Sequence, residues 1–157
     1  MEKAKSIAKS KSWKFPKKYF EYKKQILIKD TNVVGNVYFS NYIQWHGEVR
    51  ESFFNKHPLA LEFMQKNPHI VFVTAEVHHH FIENSYLGDK LVIRCNSRDI
   101  YKSSFKLVFK FYNEKNNKKI GEGWQKICFL DSSLKSPTAI PQIILDLIEP
   151  VKEVQEL

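Results

Sequence analysis

Apolar positions recur along this chain with two periods, and each change of period marks an element. From Tyr19 to Lys29, Phe20, Tyr22, Lys24, Ile26 and Ile28 alternate with Glu21, Lys23, Gln25 and Leu27, an imperfect period of two that predicts a first strand. Val33-Val34-Gly35-Asn36 interrupts it with turn chemistry, because Gly35 tolerates positive φ and Asn36 can bond its own backbone. The period then turns helical: Tyr42, Trp45, Val49 and Phe53 repeat at three- and four-residue spacing, Ile43 and Phe54 widen the apolar surface, and Ser40 or Asn41 is expected as N-cap. His57-Pro58 breaks that pattern. Leu59 to Lys66 is expected as a short second helix or a variable lid, ended by Asn67-Pro68.

Strand-like segments follow one another from there. Ile70 to Ile82 predicts a long strand with Val71, Val73, Ala75 and Val77 on one face and Glu76, His78 and His80 on the other. Leu87-Gly88-Asp89 reads as a turn into Leu91-Val92-Ile93. Phe105, Leu107, Phe109 and Phe111 alternate with Lys106, Val108, Lys110 and Tyr112 in the most regular half-buried strand of the chain. Asn113 to Lys119 is the hairpin loop, and Ile120 to Leu130 the returning strand, where Gly121 and Gly123 signal a bulge or a close backbone approach. After a loop from Asp131, Pro141 at the first helical position opens a helix to Leu147 or Glu149. One long apolar helix and five strand segments make an α+β fold in which a sheet wrapped around the helix buries both.

Composition adds size. With 157 residues, 43% hydrophobic and 14% aromatic, the chain can bury a sizeable core as one domain, expected over 19–150, with tails at 1–18 and 151–157. Charge changes the picture only after it is located. Residues 1 to 29 hold ten Lys against two acidic residues, which accounts for the whole net charge of +8, and the remainder balances at fifteen of each sign. A neutral globular part argues against nucleic acid. The basic arm is read either as a solvated tail or as an attractor for an acidic partner, such as an acyl carrier protein or the phosphates of coenzyme A. Cys95 and Cys128 sit in apolar strand runs and read as buried thiols, which fits a cytoplasmic location. No run approaches membrane-spanning length.

Candidate chemistry concentrates on the long helix. Tyr42, His46 and Arg50 stand at i, i+4 and i+8, placing a phenol, an imidazole and a guanidinium along one line of an apolar surface. A buried arginine is costly without an anion, carbonyls or a ligand to meet it, so the line is either a paired structural element or a site. His46 suits a general base by its ordinary pKa but is read as structural. His78-His79-His80 has no Cys or Asp partner at ligand spacing, so no metal is expected. Glu48, Glu51, Glu76 and Glu83 are the carboxylates available as general base; Glu48 and Glu51 read as solvated or salt-bridged helix positions, and Glu83 is the candidate to test.

Asp30-Thr31-Asn32, Gly35-Asn36-Val37-Tyr38, Asn41-Tyr42, Trp45 and Arg50-Glu51 together resemble the hot-dog-fold acyl thioesterases of the 4-hydroxybenzoyl-CoA thioesterase type, most closely the branch found in enediyne polyketide biosynthesis. The resemblance extends more weakly over roughly residues 20 to 150. It implies a five-stranded antiparallel sheet around a long central helix, a dimer with a continuous sheet paired into a tetramer, no cofactor, and hydrolysis of a polyketide, polyene or fatty β-ketoacyl thioester from a carrier protein or CoA. In the wider family the position of Asn32 is usually a catalytic aspartate, and the position of Phe39 is a histidine in some acyl-CoA thioesterases; both are absent here. By the enediyne pattern the catalytic set is Asn32, Tyr42 and Arg50, with backbone amides of Val34, Gly35 and Asn36 near the helix entrance as oxyanion donors. A protein of the same fold that binds acyl thioesters or an acidic partner without hydrolysis is the alternative.

Overall fold

The computed structural model describes residues 18–154, so the basic arm lies outside the described residues except for Lys18. The elements in chain order are β1 (Phe20–Gln25), α1 (Ser40–Phe54), α2 (Ala60–Lys66), β2 (Ile70–Phe81), β3 (Lys90–Arg98), β4 (Ser104–Asn113), β5 (Lys119–Asp131), β6 (Ser136–Pro137) and α3 (Gln142–Ile148). All strand pairings are antiparallel, in the order β1-β3-β4-β5-β2, with the two-residue β6 on β5. The fold is the α+β hot-dog arrangement, five strands curled around α1.

The core follows from the two periods. Trp45, Val49 and Phe53 of α1 and Leu91, Ile93, Phe105, Leu107, Phe109 and Phe111 of the sheet are each at most 1% exposed. Burying each of these side chains contributes about 1.5–3 kcal/mol, which is what holds the helix in the curl of the sheet. Ile143, Ile144, Leu147 and Ile148 of α3 complete the cluster.

Four local expectations change. β1 stops at Gln25 rather than Lys29, because the Asp30 carboxylate accepts the Leu27 N–H and folds Ile28–Asp30 into a 3-10 turn. Neither Ser40 nor Asn41 caps α1: Phe39 holds the N-cap position without a side-chain bond, and the Asn41 amide instead donates to the Asp30 carbonyl. The faces of β2 also change. Its register against β5 slips between Thr74 and Glu76, so Phe72 and Thr74 point inward before the bulge, and Val77, His79 and Phe81 after it. Val71 and Val73 therefore share the outer face with Glu76, His78 and His80. At the C-terminus, Val151 is fully buried and the Glu153 carboxylate pairs with Arg98 and Lys110, so the stretch from 151 begins docked on β3 and β4.

Candidate functional site

The line Tyr42, His46, Arg50 meets the inner faces of β2 and β5. Tyr42 is 5% exposed and stacks on His79 with ring centroids 5.3 Å apart, wedged edge-on by Trp45, Phe81 and Phe111. Burial raises the pKa of its phenol, and the side chain and backbone of Ser85 pull the other way, so it stays a neutral donor at pH 7. One turn on, His46 Nε2 lies 3.0 Å from His79 Nδ1, and its ring stacks on Phe109. Burial and the neighbouring imidazoles push His46 down to about 3 and His79 to about 4, so both rings are neutral.

Two glycines make room for this pair. A Cβ at Gly121 would lie 2.8 Å from His79 Nε2, and one at Gly123 would lie 2.6 Å from His46 Cε1 and 2.2 Å from the His78 carbonyl oxygen. Both readings of these glycines hold: the backbones approach closely, and a bulge in the pairing of β4 with β5 falls beside Gly121.

Arg50 closes the line. Its Nη1 donates to Thr74 Oγ1 and Gln125 Oε1 at 3.0 Å each, its guanidinium sits 5.3 Å from the Phe72 ring centroid, and its buried Nε has no partner. Burial lowers its pKa and Glu51 acts in the opposite direction, but a guanidinium remains charged at neutral pH. The cation is thus held by neutral acceptors alone.

Asn32 stands apart from this line. Its Oδ1 accepts the Val34 N–H and its carbonyl the Gly35 N–H, closing a turn with Gly35 at φ +89°. Two of the three expected oxyanion donors are therefore spent inside the loop, while the Asn36 N–H has no partner among the described residues and its side-chain Oδ1 is buried without one. Among the described residues no hydrogen bond joins Asn32 to Tyr42 or Arg50, and eight residues of helix separate those two by about 12 Å.

The carboxylates are elsewhere. Glu48 binds Tyr22 and Lys24, Asp30 binds Leu27 and Lys29, and Glu83 is exposed in a shallow depression with Phe81, Ile82, Asn84 and Tyr86. No group of three metal-ligating side chains occurs among the described residues. Sequence reasoning missed Thr74 because the β2 bulge puts it on the same face as Val77, and missed the roles of His79 and Gln125 because nothing local marks which strand residues meet α1; the Gly121-x-Gly123 pair signalled a close approach there.

Comparison with known proteins gives the frame. The chain is 26% identical over 94 residues to the 1,4-dihydroxy-2-naphthoyl-CoA hydrolase of Thermosynechococcus vestitus, covering 60% of this chain and 64% of that protein. It is 28% identical over 134 residues to the acyl-CoA thioesterase YbgC of Helicobacter pylori, covering 81% of this chain and 98% of the relative. The dynemicin thioesterase, whose crystal structures reveal induced-fit and allosteric effects upon polyene binding, shares the fold with a TM-score of 0.78 at 19% identity, covering 87% of this chain and 99% of that one. Residues 26–148 match the model of one family, and the chain belongs to it: the thioesterase-like superfamily.

Proposed function

We propose that this chain hydrolyses an acyl thioester carried by coenzyme A or an acyl carrier protein, with no Asp or Glu as nucleophile. The observation that carries this reading is Arg50: a half-buried guanidinium with only hydroxyl and amide partners and a buried, idle Nε, in line with Tyr42 and His46 on α1. Taking part of a charge out of water without a counter-charge is unfavourable, and an oxygen-bearing ligand offsets that on binding. In the reaction, water attacks the thioester carbon, negative charge grows on the carbonyl oxygen, and the thiolate departs. Arg50, the Tyr42 hydroxyl, the Asn32 amide and the Asn36 N–H are the candidate donors for the thioester and its other oxygens, and one that meets the growing charge is worth roughly 100- to 1,000-fold in turnover. A β-ketoacyl substrate would yield a β-keto acid that loses carbon dioxide, the polyketide variant of the same chemistry.

A second copy of the chain belongs to this reading. β2 is an edge strand, and Val33, Val34, Phe39, Phe81, Ile82 and Tyr86 crowd exposed apolar surface at one end of it. Pairing two β2 edges continues the sheet and covers that surface, in a dimer that can pair again into a tetramer.

Non-hydrolytic binding of an acyl thioester is the second reading, favoured by the engagement of Asn32 and the Val34 and Gly35 amides in their own turn. Thiol release across a panel of acyl-CoA and acyl-carrier substrates separates the two. The enzyme should turn over at least one class, and Arg50→Ala should lower kcat/KM by about 100-fold or more while Glu83→Gln changes it little. Acyl thioesters that bind and are never cleaved would leave the binding reading standing.

A further inference from the structure

The His46–His79 pair is a buried polar feature that the reaction above does not use. Its nitrogens are not all satisfied by the fold. Each neutral imidazole carries one N–H, so whichever ring donates across the 3.0 Å contact, the outer ends are left as one bare nitrogen and one unbonded N–H. Those ends, His46 Nδ1 and His79 Nε2, are buried and have no partner. Leaving each unsatisfied costs about 1–3 kcal/mol, and apolar side chains of similar shape would avoid it. The chain instead spends four positions on the pair, since Gly121 and Gly123 exist as open backbone where a Cβ would strike the two rings.

Place and chemistry point the same way. His79 lies on the inner face of the edge strand between Val77 and Phe81, which are 42% and 47% exposed, with its Nε2 turned toward the Gly121 backbone. Tyr42 stacks on it directly. No carboxylate contacts this seam among the described residues, because Glu48, Asp30 and Glu122 are held by Lys24, Lys29 and Lys119. Asn32 cannot accept a proton from water.

We propose that His79, oriented by His46, is the general base of thioester hydrolysis in this chain, taking the proton of the attacking water at Nε2. His46 is the positioning residue: by accepting Nδ1–H of His79 at its own Nε2, it keeps His79 Nε2 bare. The water oxygen bonds to the thioester carbon as its proton moves to His79 Nε2. The carbon–sulfur bond then breaks, and that proton passes from Nε2 to the departing sulfur, releasing an acid and a thiol with the imidazole restored. The low pKa of the ring fits this role, since it gives His79 the basicity of a carboxylate without placing a charge against the apolar wall.

The inference rests on the thioesterase reading, and the test separates the two. His79→Asn retains an amide N–H donor where Nδ1–H stood, to hold His46 Nε2, and has nothing at Nε2; His79→Phe retains the stack on Tyr42. Both should fold, with kcat lowered about 100- to 10,000-fold and KM little changed. Wild-type kcat should also fall on an acid limb near pH 4, set by His79 among His46, Tyr42 and Arg50 of α1, His78 and His80 of β2 and Glu122 of β5, and both variants should lose the limb. Nitrogen-15 spectra of labelled histidine should show His79 protonated at Nδ1, shifting to Nε2–H in His46→Leu. A wild type that cleaves thioesters while either folded variant matches it, or a His79 found protonated at Nε2, overturns the proposal alone. A wild type that cleaves none overturns the thioesterase reading and this proposal with it.

Discussion

β4 and β2 lie one strand apart in the same sheet and obey different rules. On β4, Phe105, Leu107, Phe109 and Phe111 are all fully buried on one face, and the strand is paired along both edges. On β2 only β5 is a neighbour, the register slips once, and the inward residues are Phe72, Thr74, Val77, His79 and Phe81, a mixture of apolar and polar groups. A strand buried on one face and paired on both sides has a single solution. An edge strand has an open side, tolerates a bulge, and can carry groups whose partners come from elsewhere. The difference teaches that the stability of this fold is concentrated on β4 and its polar chemistry on β2.

The contrast breaks hardest at its most regular point. Phe109→Ala removes a fully buried ring that stacks on His46, and should destabilise the chain by about 3–5 kcal/mol in urea unfolding. A loss under about 1 kcal/mol would mean that β4 does not carry the core.

A smaller effect belongs to β2 and α1 together. His46 and His79 are held neutral with pKa values of about 3 and about 4 against an ordinary 6.5, and burial lowers His57 as well. Between those values the unfolded chain binds protons that the folded chain refuses, so stability is full above about pH 6.5 and falls as the pH drops toward the folded values. Unfolding measured at pH 7 and pH 4.5 should differ by on the order of 3 kcal/mol. Replacing both imidazoles with Phe should flatten much of that slope, and an unchanged slope would show that the rings titrate normally.

The smallest effect on the isolated fold comes at the open edge. Val73→Lys alters a residue on the outer face of β2 that is 40% exposed, so the melting of a single copy should move within about 0.5 kcal/mol. Light scattering should nevertheless shift from dimer or tetramer toward monomer, because charge on an edge strand opposes pairing of two copies. Monomer alone in the unaltered chain at micromolar concentration would remove the paired edge from the account.

Local pattern was enough for much of this molecule. The 3.6-residue period of Tyr42, Trp45, Val49 and Phe53 and the two-residue period of Phe105 to Phe111 are local properties, and each names its element and its buried face without reference to anything else. The line of Tyr42, His46 and Arg50 was legible for the same reason, since helix geometry alone places i, i+4 and i+8 together. What opposes that line was not legible. Alternation on β2 holds only within one register, and a single bulged residue at Ala75 puts Thr74 on the same face as Val77 and His79. The pairing of His46 with His79, and of Arg50 with Thr74 and Gln125, joins residues far apart in the chain. The chain by itself determined the helix, the strands and the candidate guanidinium; only the tertiary structure decided the partners, because register and bulge position are settled by which packing of α1 against the sheet excludes water with no backbone clash.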